Sequence, residues 1–134
     1  MPKVAILEYI HPSAIELLKK KSAFKYEIIE NVSRANIVNK LPNFDAISLR
    51  VTKLDRDIIS KCKNLKIVSR HGVGWDNIDL DSLRSNNVTL TITANANAIS
   101  VAEHVMFMIL SISKGLDMYD KAVRKGQFFS KKKY

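Results

Sequence analysis

Glycine is scarce in this 134-residue chain, which has four, at Gly72, Gly74, Gly115 and Gly126. A dinucleotide fingerprint needs three glycines within six residues, and a phosphate loop needs G-x-x-x-x-G-K-[ST]. Neither fits those positions, so both phosphate-gripping motifs are excluded by counting. The single cysteine, Cys62, excludes an internal disulfide and a cysteine-rich metal site. His11, His71 and His104 are too scattered to form a histidine cluster. Long apolar runs are also missing. The longest, at 105–110, falls far short of the roughly 20 residues needed to span a bilayer. The first, at 4–7, is too short for a signal-peptide core. These absences lead us to expect a cytoplasmic chain with no metal and no membrane partner.

What is present is an ordinary globular composition, 46% hydrophobic and 26% charged, with a net charge of +9. The charge is uneven. Residues 114–134 carry seven basic residues against Asp117 and Asp120. A nucleic-acid interface would interleave such charge with aromatics on a defined motif. No such motif occurs, so no nucleic-acid partner is expected and 126–134 reads as a basic tail.

Short apolar runs alternate with helical patterns. Strands are expected at 3–7, 24–29, 46–49, 65–68 and 88–93, the last rich in β-branched residues. Helices are expected after Pro12, with Ser13 and Glu16 as a capping box, near 34–39, after Asp55, and after Asp79 or Asp81. This alternation implies an α/β fold, a five-stranded parallel sheet wrapped by right-handed crossovers. Helices on both faces give the flavodoxin-like order, with ligands beyond the carboxyl ends of the strands. Glu8–His11, 50–53, 70–75 and 94–98 then surround one cleft.

From residue 99 the pattern turns helical. A single helix over 100–125 is expected, capped by Ser100 with Glu103, and its 26 residues would span roughly 39 Å. That is longer than the sheet needs for cover, so part of its apolar face should seek a partner.

The stretch LKIVSRHGVGWDNID carries the most chemistry. Gly72-Val73-Gly74 can turn tightly and expose successive N–H groups to an anion, and Arg70 and His71 add positive potential. The bland alternative is a plain strand-to-loop turn. Asp76-Asn77-x-Asp79 lacks the spacing of a calcium loop and reads as helix capping. In TANANAISVAEH, Asn95 and Asn97 can bind a ligand or their own backbone.

At these two stretches the chain resembles the D-isomer-specific 2-hydroxyacid dehydrogenases, including phosphoglycerate dehydrogenase-like members. LKIVSRHGVGWDNIDL and VTLTITANANAISVAEHVMFMILSISKGL match family patterns of the form RxGVGxDNID and NTPGANxxxVAEHxxxLxL. Ala94 and Asn95 replace the usual Pro and Gly, and Trp75 is bulkier than usual. The resemblance implies that 1–99 is a substrate-binding domain and 100–125 an interdomain helix. The amides of Gly72, Val73 and Gly74, with His71, Arg50 and Val51, would bind a small 2-hydroxy or 2-oxo acid. Asn97 and Val101 would face the nicotinamide of NAD. The family's catalytic Arg, carboxylate and His, and its glycine-rich cofactor loop, lie beyond Tyr134. No catalytic residue is therefore assigned here, and the chain is expected to be inactive alone. It would be truncated before the nucleotide-binding domain or completed by that domain in cis or in trans, and a homodimer is a further expected partner. A stand-alone flavodoxin-like binding module is the alternative. A phosphoreceiver is disfavoured because the third strand ends in Leu49-Arg50, without an acidic phosphoacceptor.

Overall fold

The computed structural model describes residues 1–127. Two compact units divide the chain, at 1–96 and from Asn97 onward.

The first unit is built on five parallel strands: β1 (Lys3–Leu7), β2 (Lys25–Ile29), β3 (Ala46–Leu49), β4 (Ile67–Arg70) and β5 (Thr89–Ile92). Their order is β2-β1-β3-β4-β5, the expected flavodoxin-like order. Four helices connect them: α1 (Pro12–Lys19), α2 (Arg34–Lys40), α3 (Arg56–Lys61) and α4 (Leu80–Ser85). Strand alternation sends Ala5, Leu7, Ile29, Ile47, Leu49 and Val68 to one face. There they bury against Ile37 of α2, Ile58 and Ile59 of α3 and Leu83 of α4. On the other face Ile6 and Ile28 share a cleft with Ile15 of α1. Farther along that face, Ser69, Thr89 and Thr91 are exposed, and their hydroxyl-bearing side chains suit that position.

Two differences from the sequence reading concern where elements start. The fourth strand runs two residues later than expected, because the Leu65 amide is used to close the turn after α3 on Cys62 O. At α1 the cap is His11, whose Nδ1 accepts from the Ser13 N–H at 3.2 Å. Pro12 explains this, since its fixed φ suits the first helical position and moves the start upstream of Ser13. Glu16 pairs with Lys19 instead of closing a capping box.

The second unit corrects the expectation of one helix over 100–125. It contains α5 (Ala98–Ser113) and α6 (Leu116–Arg124), bent by 66°. Gly115, at φ 62°, sits between them in the left-handed region that glycine enters at low cost. The helix also starts before Ser100, so the expected Ser100–Glu103 box does not form, and Asn97 occupies the cap position without a side-chain hydrogen bond. Among the described residues, no single helix is long and apolar enough to cross a membrane. Of the expected basic tail, residues 128–134 lie outside the described residues.

Candidate functional site

The first unit gathers the loops that follow β1, β3, β4 and β5 at one end of its sheet. The β1–β3 ladder ends at the pair Ile6↔Ser48. Beyond it, Glu8 turns to φ 71°, a left-handed conformation costing a non-glycine residue about 1–2 kcal/mol. Its carboxylate then accepts the Arg50 N–H at 2.6 Å and the Val51 N–H at 3.0 Å. Charge-assisted hydrogen bonds of this kind are strong enough to offset that strain.

The loop after β3 is tied from the opposite side. Leu54 forms a parallel bridge with Ile78, its N–H reaching Asn77 O at 2.8 Å while the Asp79 N–H reaches Leu54 O at 2.9 Å. The Asn77 carboxamide donates to Thr52 O at 2.8 Å and to Arg50 O at 3.4 Å. The Asp76-Asn77-x-Asp79 run therefore divides its work. Asp79 caps α4 by accepting the Ser82 N–H at 2.8 Å, and that bond lowers its carboxyl pKa. Asn77 caps nothing and braces the neighbouring loop. Asp55 caps α3, and its pKa is lowered first by the hydrogen bond from Arg34 and also by the Ile58 N–H. Thr52 is buried at 8% exposure, and its hydroxyl has no partner among the described residues.

In the glycine loop the three amides assigned to a ligand are not equivalent. The His71 N–H bonds Leu49 O at 2.7 Å, and the Gly72 N–H bonds Arg70 O at 3.0 Å. The Gly72 amide is thus used internally. Those of Val73 and Gly74 have no acceptor among the described residues. The Thr93 N–H anchors the loop on Gly72 O at 3.1 Å. Arg70 folds back over Gly72, where an added Cβ would lie 1.5 Å from a guanidinium nitrogen. Its Nε is buried without a partner among the described residues. Among the described residues, neither Arg50, Arg70 nor His71 forms an ion pair with an acidic side chain. Two free amides beside the Arg70 guanidinium have the chemistry to accept a small carboxylate.

Proton transfer is another matter. His71 is exposed, and no carboxylate orients its ring among the described residues. No group of three or more His, Cys, Asp or Glu side chains among them could hold a metal ion. Asn97 and Val101 belong to the second unit. Both are exposed, Asn97 at the cap of α5 and Val101 in its first turn, where the Val101 N–H bonds Asn97 O at 2.9 Å. His104 stacks on Phe107, with ring centroids 6.0 Å apart.

Sequence reasoning placed Glu8 and Arg70 near the cleft without assigning their contacts, and it missed the brace formed by Asn77. The signal for Asn77 lay in the DNID run, but its partners at 50–52 are remote in sequence.

Comparison with known proteins adds an independent result. A family model described as D-isomer specific 2-hydroxyacid dehydrogenase, catalytic domain, matches residues 4–132. The D-3-phosphoglycerate dehydrogenase of Archaeoglobus fulgidus is 33% identical over 131 residues, covering 97% of this chain and 25% of that protein. A solved structure from Pyrococcus horikoshii superposes with a TM-score of 0.85 at 30% identity, covering 98% of this chain and 39% of that one. The D-lactate dehydrogenase of Aquifex aeolicus, solved with NAD and lactic acid, gives 0.80 at 29% identity, with coverage of 96% and 39%. The chain spans about a quarter of the length of the Archaeoglobus relative.

Proposed function

From this chain's membership of the D-isomer specific 2-hydroxyacid dehydrogenase family, we propose that it is the substrate-binding portion of an NAD-dependent oxidoreductase acting on the CH–OH group of a small 2-hydroxy acid. The observation that carries this reading is the pair of free amides at Val73 and Gly74 beside Arg70. They receive the acid's carboxylate, while the exposed Arg50 and His71 supply positive potential around it. Gly72 serves by shaping the loop, while the Val51 amide is held by Glu8 on the β1–β3 side.

NAD supplies the hydride acceptor when it is bound. This chain's residues do not fit the dinucleotide. The glycines after β4 lead into no helix until Leu80, the Gly72 amide is used internally, and Arg70 fills the space above it. A pyrophosphate cradle needs a helix N-terminus directly behind the glycines. We therefore assign nicotinamide binding to a nucleotide-binding domain supplied in cis or in trans, which Asn97 and Val101 would face. The whole assembly works in the cytoplasm on this reading.

Adding pyruvate or hydroxypyruvate to the isolated chain should shift the amide resonances of Val73 and Gly74, with no oxidation of NADH. NADH consumption by the chain alone would overturn its assignment as a binding portion. Failure of both acids to bind would overturn the substrate assignment.

The exposed apolar side chains of α5, among them Val105, Phe107, Met108 and Ile112, favour completion by a partner over a stand-alone module. The discriminating experiment mixes the chain with a separately produced nucleotide-binding domain of a relative. Restored turnover supports completion in trans, and acid binding without it supports the module. Sedimentation separates both from a homodimer.

A further inference from the structure

In a sheet of order β2-β1-β3-β4-β5 the strand order reverses between β1 and β3, and the crevice at that point is where open α/β sheets usually take a ligand. Here the crevice is filled by the chain itself. The β1–β3 ladder stops at Ile6↔Ser48, and the two amides that follow, Arg50 and Val51, point to the Glu8 carboxylate at 2.6 and 3.0 Å. Glu8 adopts φ 71° in making this contact. Asn77 holds the carbonyls of Arg50 and Thr52 from the other side. The segment is therefore gripped at both its donors and its acceptors. The cavity beside Glu8, about 370 Å³, is also lined by Arg34, Thr52 and Lys53. Arg34 is already paired with Asp55 and Asp57.

We propose that Glu8 is a built-in carboxylate. It occupies the anion nest of the β1–β3 crevice, holds the Arg50 backbone in place, and leaves the Val73 and Gly74 amides open to an acid ligand. This rests on the reading of Val73 and Gly74 as the carboxylate receptor. Glu8 is a positioning residue on this account. It satisfies two donors that would otherwise recruit the ligand one strand away from the glycine loop, and its negative charge disfavours a second acid nearby. Free carboxylate is thereby steered to one side of β3.

The test uses the 134-residue chain, with acetate as the probe of the nest and pyruvate as the probe of the receptor. In the native chain acetate should leave the Arg50 and Val51 amide resonances in place. In Glu8→Ala it should move both saturably, as the free anion fills the vacated nest. Glu8→Gln keeps the shape and one acceptor oxygen but loses the charge. Amide exchange at Arg50 and Val51 should then quicken about tenfold, with Leu7 and Val68 unchanged. A folded Glu8→Ala variant whose Arg50 and Val51 ignore acetate would overturn the proposal. If that variant does not fold, unchanged exchange in Glu8→Gln overturns it.

Pyruvate should move Val73 and Gly74 alone in the native chain, and Arg50 and Val51 as well in Glu8→Ala. Pyruvate acting at Arg50 and Val51 in the native chain would contradict the proposal. Pyruvate acting nowhere, while acetate fills the nest of the variant, would overturn the substrate reading and leave the role of Glu8 in the crevice standing.

Discussion

Arg70 lies across Gly72, and the two cannot both keep their places if Gly72 acquires a side chain. An added Cβ would sit 1.5 Å from one guanidinium nitrogen and 2.4 Å from the guanidinium carbon. The glycine thus makes room for a cation beside the loop's free amides.

Gly72→Ala should push the flexible end of Arg70 aside more than it disrupts the sheet. The expected loss of stability is about 1 kcal/mol. Pyruvate affinity should fall about tenfold, the worth of one charge-assisted hydrogen bond. Thermal melting and calorimetric titration of the variant measure the two effects separately, and an unchanged affinity would show that Arg70 takes no part in binding.

Asn77 should matter as a brace. Asn77→Ala leaves the Thr52 and Arg50 carbonyls without this donor, at a cost of about 1–3 kcal/mol for the buried Thr52 segment. Asn77→Asp should be at least as harmful, because an ionised carboxylate cannot donate to either carbonyl. Urea denaturation of the two variants gives the order directly. An aspartate variant as stable as the native chain would remove the brace from the argument.

Acid should weaken the first unit through its helix caps. Hydrogen bonds from Arg34 and from the Ile58 N–H hold the Asp55 carboxyl below the usual carboxylate range. A folded-state pKa lower than the unfolded one stabilises fully above the unfolded value, near 4, and the contribution disappears as pH falls through the folded value. The Asp79 carboxyl is shifted in the same direction by Ser82. Denaturation midpoints should therefore drop below about pH 4. Asp55→Ala should cost about 1 kcal/mol at neutral pH and make the acid slope shallower. A variant that keeps the full native slope would shift the acid sensitivity elsewhere.

Cys62 should be inert in the folded chain. It is buried, its Sγ–H donates to Ile58 O at 3.2 Å, and burial pushes the thiol pKa up to about 11. Alkylation by iodoacetamide near pH 8 should proceed only after denaturant is added. The same shift has a sign for stability. The protonated thiol favours the folded state, so its contribution is complete below the unfolded value and declines from about pH 9 towards 11. Rapid labelling without denaturant would show that the turn after α3 opens readily.

Much of the fold was legible from residue order. The strand cores at Lys3–Leu7 and Ala46–Leu49 and the cap at Asp55 are local patterns, and the structure reproduces them. So was the family, because the glycine loop and the VAEH helix are contiguous motifs. Element starts were less legible where two local signals competed. Pro12 outweighed Ser13 as the start of α1, and the left-handed Gly115 divided a periodic apolar stretch into two helices.

The sequence by itself determined the alternation of strands and helices, the parallel sheet, the family and the position of the glycine loop. All of these depend on neighbours within a few residues. Only the tertiary structure decided which of the three loop amides are free, what Arg70 covers, and which residues hold the segment after β3. Glu8 meets Arg50 across 42 positions, and Asn77 meets Thr52 across 25. Hydrogen bonds over such separations depend on strand register and on the point where two strands part, and a one-dimensional pattern carries neither.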